Sequence, residues 1–377
     1  MSTLTFSHTT NREDTGVIDP YAVVALSPRT INVQNAGDTI ANVKRICEFM
    51  DTACMVAAWQ GAPVKLVVIP EMAIQGMIAN RPGHRETERK FAVTIPGPET
   101  ELLCKKAKEI NSYIAAELYM VADDDFPDRY FNVAFVISPE GEVIHKRCKA
   151  TSDAYEGGML GNSNPHDYWD EWVAKKGNGD VMEAIFPVAR TEIGNIGIAI
   201  CHEGVYPEVV RGLAMNGAEI IVRPTLIEPA VMNGMWELQN RAHAVFNHAY
   251  VVAPNLGPEI RPDGSIQDLF GGRSMIVNNM GHIVAQQTGW TAGDSFVTAV
   301  IDIEALRRSR IANGLFNQFK DLRTEQYRAI YDRPIYPKNQ YLKAPPAENW
   351  LAREEATRAA NIQELVRRGV LTPPSLG

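Results

Sequence analysis

The chain is predicted to adopt an α/β fold, because short β-branched apolar runs alternate with helical stretches along much of its length. Two further observations agree with this class. Runs such as YAVVAL and KLVVI end at or beside a proline, and 45% of the 377 residues are apolar, ample for a substantial core.

Taken in order, YAVVAL (21–26) reads as a first buried strand between Asp-Pro and Ser-Pro, and a helix follows over roughly Asp38 to Gln60. KLVVI (65–69) is a second strand that stops at Pro70, leaving Glu71 just past its carboxyl end. Thr100 to Asn111 is helical, and Tyr113 to Val121 is a strand interrupted by Glu117. Asn132 to Ser138 and Glu142 to His145 form a hairpin about Pro139-Glu140-Gly141, with Lys149 on the way out. The mixed stretch from Gly157 to Asp180 lacks periodicity and is expected to be a loop or partial lid.

IGNIGIAI (193–200) is a strand that delivers Cys201 at its end, and Pro207 to Gly217 is a helix. Ile220 to Val222, a helix over Asn233 to Asn247, a strand over Tyr250 to Pro254, a hairpin over Arg273 to Gln286 and a strand over Ser295 to Asp302 complete the set. Three segments are expected: 1–20 flexible, 21–318 a single domain, and 319–377 an extension. In that extension Pro334, Pro337, Pro345 and Pro346 break up the chain before a charged helix over Trp350 to Arg368. It reads equally as an arm on a neighbouring subunit or as a tail wrapped on its own chain.

With 37 basic against 45 acidic side chains and a formal charge of -8, the chain lacks the cationic field that nucleic acid or anionic lipid attracts. Met1 to Pro20 holds no apolar run of signal-peptide length, and nowhere do about 18 consecutive apolar residues occur. A cytoplasmic protein with neither nucleic-acid nor membrane partners is expected. The five cysteines are Cys47, Cys54, Cys104, Cys148 and Cys201, odd in number and without a CxxC pair, so most are expected to be reduced thiols in the core.

Glu71, Lys149 and Cys201 each stand soon after a buried strand, where α/β folds let distant residues converge. A thiol with pKa of about 8.5 needs a base or a nearby cation to become a nucleophile. A partly desolvated carboxylate can take that proton and return it to a leaving amine. An ammonium aimed at the developing oxyanion can contribute roughly 3 to 4 kcal/mol. His202 is adjacent to Cys201, but neighbouring side chains leaving a strand point apart, so its backbone N–H rather than its ring is the candidate oxyanion donor. His243 and His248, five apart on a helix, point about 140° apart and do not suggest a shared metal. Neither metal nor cofactor is expected.

The strings VVIPEMAIQG, YFNVAFVISPEGEVIHKRCK and IGIAICHEGVYPEVVRGLAMNGAEIIVRP resemble the nitrilase superfamily of carbon-nitrogen hydrolases. So do RAHAVFNHAYVVAPN and FGGRSMIVNNMGHIVAQ, and together they cover roughly residues 20 to 305 in order. The resemblance implies a four-layer α-β-β-α sandwich, assembly into homo-oligomers built from dimers, and a Glu-Lys-Cys triad. Carried over by position, Glu71 is general base and acid, Lys149 the oxyanion stabiliser and Cys201 the nucleophile. Glu156 in DAYEGG matches a fourth, acidic position, and Tyr155 beside it joins His202 as a candidate substrate contact. The segment CHEGVYPE is similar to that of aliphatic amidases and formamidases, so a small linear amide is the expected substrate. N-carbamoyl compounds, then nitriles, then a non-catalytic scaffold are the alternatives. Tyr168, Trp169 and Trp172 could enclose a larger acyl group or pack the loop down.

Overall fold

The computed structural model describes residues 16–35, 37–76, 90–127, 129–151, 163–227, 233–269, 272–287, 293–343 and 350–375. Six strands form one sheet: β1 (Tyr21–Ser27), β3 (Val64–Val68), β4 (Tyr113–Ala122), β5 (Tyr130–Ile137), β6 (Val143–Cys148) and β14 (Ser295–Ile301), in the order β14-β1-β3-β4-β5-β6. A second sheet has the order β13-β12-β9-β8-β7, from β7 (Ile196–Ile198), β8 (Ile220–Val222), β9 (Tyr250–Ala253), β12 (Met275–Val277) and β13 (Ile283–Gln286). The central pairs β1-β3-β4 and β7-β8-β9 are parallel.

Strand alternation explains how these sheets stack. Val23, Ala25, Leu66, Val68, Ala115 and Ala134 from the first sheet meet Ile196, Ile198, Ile220, Val222 and Val252 from the second in one apolar layer. The opposite face of the first sheet, including Val24, Leu26, Val67 and Ile114, packs on α1 (Asp38–Ala57) and α2 (Pro98–Ile110). On the other side, Ile221, Val251, Ala253 and Met275 pack on α5 (Pro207–Met215) and α6 (Met235–Asn247). The result is the four-layer α-β-β-α sandwich. Both faces of each sheet are covered, so their strands read as continuous apolar runs. Gly197 lets α5 approach β7, since a Cβ there would lie 3.1 Å from the Leu213 Cβ.

The stretch expected to be a loop is partly helical. Within it Pro165–Tyr168 is a 3-10 turn and α3 spans Trp169–Lys176, and α4 (Val181–Ile185) follows just beyond it. Trp172 is the one buried side chain of α3, too little for a readable apolar stripe. Tyr168 and Trp172 cluster with Phe126 and Phe131, and Trp172 Nε1 donates to the Ala184 carbonyl at 3.0 Å. These rings belong to the core. Further elements without a sequence signal are α7 (Ile303–Ile311), α8 (Thr324–Tyr331) and a small sheet of β2 (Thr30–Ile31), β10 (Pro258–Ile260) and β11 (Ile266–Leu269).

The C-terminal segment ends in α9 (Trp350–Arg367). Tyr341 is buried and its hydroxyl donates to Glu354 Oε1 at 3.0 Å, while the Tyr341 and Asn339 N–H groups donate to the carbonyls of Asp167 and His166. Asp167 is buried under this contact, and burial, reinforced by the negative charge of Glu354, pushes its carboxyl up to about 7. A carboxyl raised in the folded state binds more protons there than when unfolded, so its contribution to stability falls as pH rises from its ordinary range through about 7. Asp167→Asn should therefore flatten the decline in Tm between pH 5 and pH 8; an unchanged slope would show that this carboxyl does not govern tail docking.

Candidate active site

Glu71 is placed by the end of β3. Ile69 N–H still donates to Ala115, Pro70 has no N–H to continue the ladder, and Glu71 turns out of the sheet. The turn is sharp: Met72 has φ of 58°, and its N–H donates to Glu117 Oε2 at 2.7 Å. The carboxylate that interrupts β4 in the sequence thus holds the backbone next to Glu71.

Lys149 follows β6, and its N–H donates to the Asn132 carbonyl on β5. That register lets both side chains reach one carboxylate: Glu71 Oε1 accepts from Lys149 Nζ at 2.8 Å and from Asn132 Nδ2 at 2.9 Å. Cys201 comes from the other sheet. The ladder beyond β7 continues through Ala199 to Val222 and Cys201 to Pro224, and Cys201 itself has φ of 47° at the start of a 3-10 turn, Cys201–Val205. A residue with a Cβ in this left-handed region is held against a cost of order 1–3 kcal/mol, a feature concentrated at functional sites.

Residue Leu226 joins the two halves. Its carbonyl accepts from Cys201 Sγ at 3.5 Å, while its N–H donates to Glu71 Oε2 at 3.3 Å. Glu71, Lys149 and Cys201 are 1%, 3% and 5% exposed, so charge changes among them are weakly screened. The three residues chosen from sequence therefore meet at the junction of the two sheets.

Another buried acid fixes their spacing. Glu203, fully buried, accepts from Arg147 at 2.5 and 2.8 Å, from the N–H of Ala150 at 2.8 Å and from the N–H of Ile200 at 2.8 Å. Ala150 follows Lys149 and Ile200 precedes Cys201, so one carboxylate ties both backbones. Burial pushes the thiols of Cys47 and Cys54 up to about 11 and that of Cys148 well above its ordinary value. Those sulfurs are held as inert thiols.

The His202 ring stands edge-on to Tyr206, with centroids 5.6 Å apart. Tyr155 and Glu156 lie outside the described residues. Sequence reading overlooked Arg147, Asn132, Glu203 and Arg223 as parts of this site. The available signal was a charge placed within or against an apolar run, as Arg223 stands directly after Ile220 to Val222.

A thiol, a carboxylate and an ammonium enclosed between two sheets define a hydrolase-type site, able to attack an sp² carbon and move a proton within hydrogen-bond reach. The chain belongs to the carbon-nitrogen hydrolase family, whose profile matches residues 22–311. It is 29% identical over 298 residues to a formamidase of Bacillus cereus strain Q1, covering 78% of each chain. A carbon-nitrogen hydrolase from Helicobacter pylori G27 superposes with a TM-score of 0.63 at 20% identity, covering 83% of this chain and 99% of that one. A variant of the amidase from Nesterenkonia sp. AN1, bearing a covalent acetamide adduct at its active-site cysteine, gives a TM-score of 0.56 at 17% identity, covering 82% and 96%. The family and the four-layer fold implied by the sequence motifs both hold.

Proposed function

We propose that this enzyme hydrolyses small linear amides to a carboxylic acid and ammonia through a thioester on Cys201. The observation that carries this reading is the shared contact at Leu226, which sets Cys201 Sγ and Glu71 Oε2 on the two sides of one residue while Glu71 Oε1 holds Lys149. Glu71 takes the thiol proton, sulfur bonds to the carbonyl carbon, and the oxyanion is stabilised by Lys149 and the His202 N–H. As the C–N bond breaks, Glu71 returns the proton to the departing nitrogen. Water, deprotonated by the same carboxylate with Glu156 as a second acid and Tyr155 as a substrate contact, then cleaves the thioester.

The amide preference is supported by the formamidase relative and by the adduct seen in the Nesterenkonia amidase. A small acyl group is supported by Tyr168 and Trp172, whose rings are taken up by the core. Assembly from dimers is part of this reading, supported by the exposed Met215 on α5 and Met235, Leu238 and Phe246 on α6. The exposed Ile330 and Tyr331 on α8 support a tail that also meets a neighbouring subunit. Five free cysteines support a reducing compartment such as the cytoplasm. No helix among the described residues is long and apolar enough to cross a membrane.

Ammonia release from a panel of formamide, short aliphatic amides, aromatic amides, N-carbamoyl amino acids and nitriles tests the function. Turnover should be greatest for formamide and short amides, with an acyl adduct on the Cys201 peptide by mass spectrometry. Preference for a carbamoyl compound or nitrile would replace the amide reading, and silence across the panel would favour a scaffold.

A further inference from the structure

Behind Cys201 lies a buried charge that the proposed reaction does not use. Arg223 follows β8 and is 1% exposed. Its Nε donates to the Cys201 carbonyl at 3.2 Å, and its terminal nitrogens donate to Asn240 Oδ1 at 3.1 Å and Gln239 Oε1 at 2.8 Å. The guanidinium also lies over the Trp236 ring, 4.7 Å from its centroid. Trp236, Gln239 and Asn240 are i, i+3 and i+4 on α6, one face of the helix. Gly204 completes the cage, because a Cβ there would lie 2.0 Å from Arg223 Nε.

None of these partners is charged, and among the described residues no carboxylate bonds this guanidinium. Buried charges are ordinarily paired. Around Cys201 the other charges do pair: Glu71 with Lys149 and Glu203 with Arg147. His243, whose Nε2 donates to the Gly204 carbonyl at 2.7 Å, is kept neutral by burial, which pushes it down to about 4. Arg223 is left as the positive charge without a bonded acid.

We propose that Arg223 is a positioning residue whose fixed positive charge favours the thiolate of Cys201, with α6 and Gly204 as the cage that holds it in place. This rests on the reading of Cys201 as the nucleophile. The S–H bond breaks and its proton passes to Glu71, which leaves a thiolate with the guanidinium behind it as counter-charge. Burial lowers the Arg223 pKa to about 10 against the opposing charges of Cys201 and Glu71, so the group stays protonated at neutral pH, with no acid hydrogen-bonded to it among the described residues.

The test is the pH dependence of Cys201 alkylation by iodoacetamide, with the labelled peptide identified by mass spectrometry, in the native chain, Arg223→Met and Gln239→Glu. Gln239→Glu keeps the arginine and its packing but brings a carboxylate to the position now 2.8 Å from the guanidinium. Both variants should raise the alkylation midpoint by about one pH unit, which is about tenfold slower labelling below it. An unchanged midpoint in folded Gln239→Glu overturns the proposal, whatever Arg223→Met does. Failure of the nucleophile reading would show separately, as amide turnover surviving in Cys201→Ala.

Discussion

A Cys201→Ala variant is expected to lose about three orders of magnitude or more of its amide turnover while remaining folded. Alanine keeps the Cβ, so the backbone at φ of 47° faces the same local sterics as before, and the ladder bond from residue 201 to Pro224 is retained. What disappears is the sulfur that contacts Leu226 across from Glu71. No other thiol substitutes for it, since burial pushes those of Cys47, Cys54, Cys104 and Cys148 above their ordinary value. Ammonia release under saturating formamide measures the loss, and thermal melting checks the fold. Turnover within tenfold of the native chain would end the thioester scheme.

The largest effect on stability is expected at Glu203. Glu203→Ala should cost about 3–5 kcal/mol, because it leaves the buried Arg147 guanidinium without its counter-charge. The N–H groups of Ala150 and Ile200 lose their acceptor in the same change. The measurement is the shift in urea midpoint at constant m. A double-mutant cycle with Arg147→Met should show strong coupling, since the second change removes the orphaned charge left by the first. A single-variant loss below about 1 kcal/mol would mean that water or another acid satisfies Arg147. Formamide KM and kcat should both suffer in any variant that folds, because this carboxylate sets the spacing between Lys149 and Cys201.

Much of the architecture was legible in the chain because both sheets are covered on each face. YAVVAL, KLVVI and the short run Ile220 to Val222 are compact apolar segments, and each is a strand close to its expected bounds. The long helices α1, α2 and α6 were equally clear, with α1 carrying an apolar stripe of Val43, Ile46, Cys47 and Met50 at helical spacing. Elements that lie on the surface left weaker marks. No side chain of α8 is buried, and β2 has only two residues, so neither produces a periodic signal. The region around α3 misled for a related reason, since its order comes from two aromatic rings inserted beside Phe126 and Phe131.

The amino-acid order by itself determined which reactive groups would stand at strand ends: Glu71 after a proline stop, Lys149 after a hairpin and Cys201 after an Ile-rich run. It could do so because strand periodicity and turn chemistry act between near neighbours. Only the tertiary structure decided that Leu226 stands between the acid and the sulfur, that Glu203 ties the lysine backbone to the cysteine backbone, and that Arg223 lies behind them with no acid bonded to it among the described residues. The first two relations join residues from opposite sheets, across 155 positions for Glu71 and Leu226, and the third joins the ends of neighbouring strands β7 and β8. Local preference has no range to specify such contacts; those between the sheets follow from how two covered sheets pack face to face.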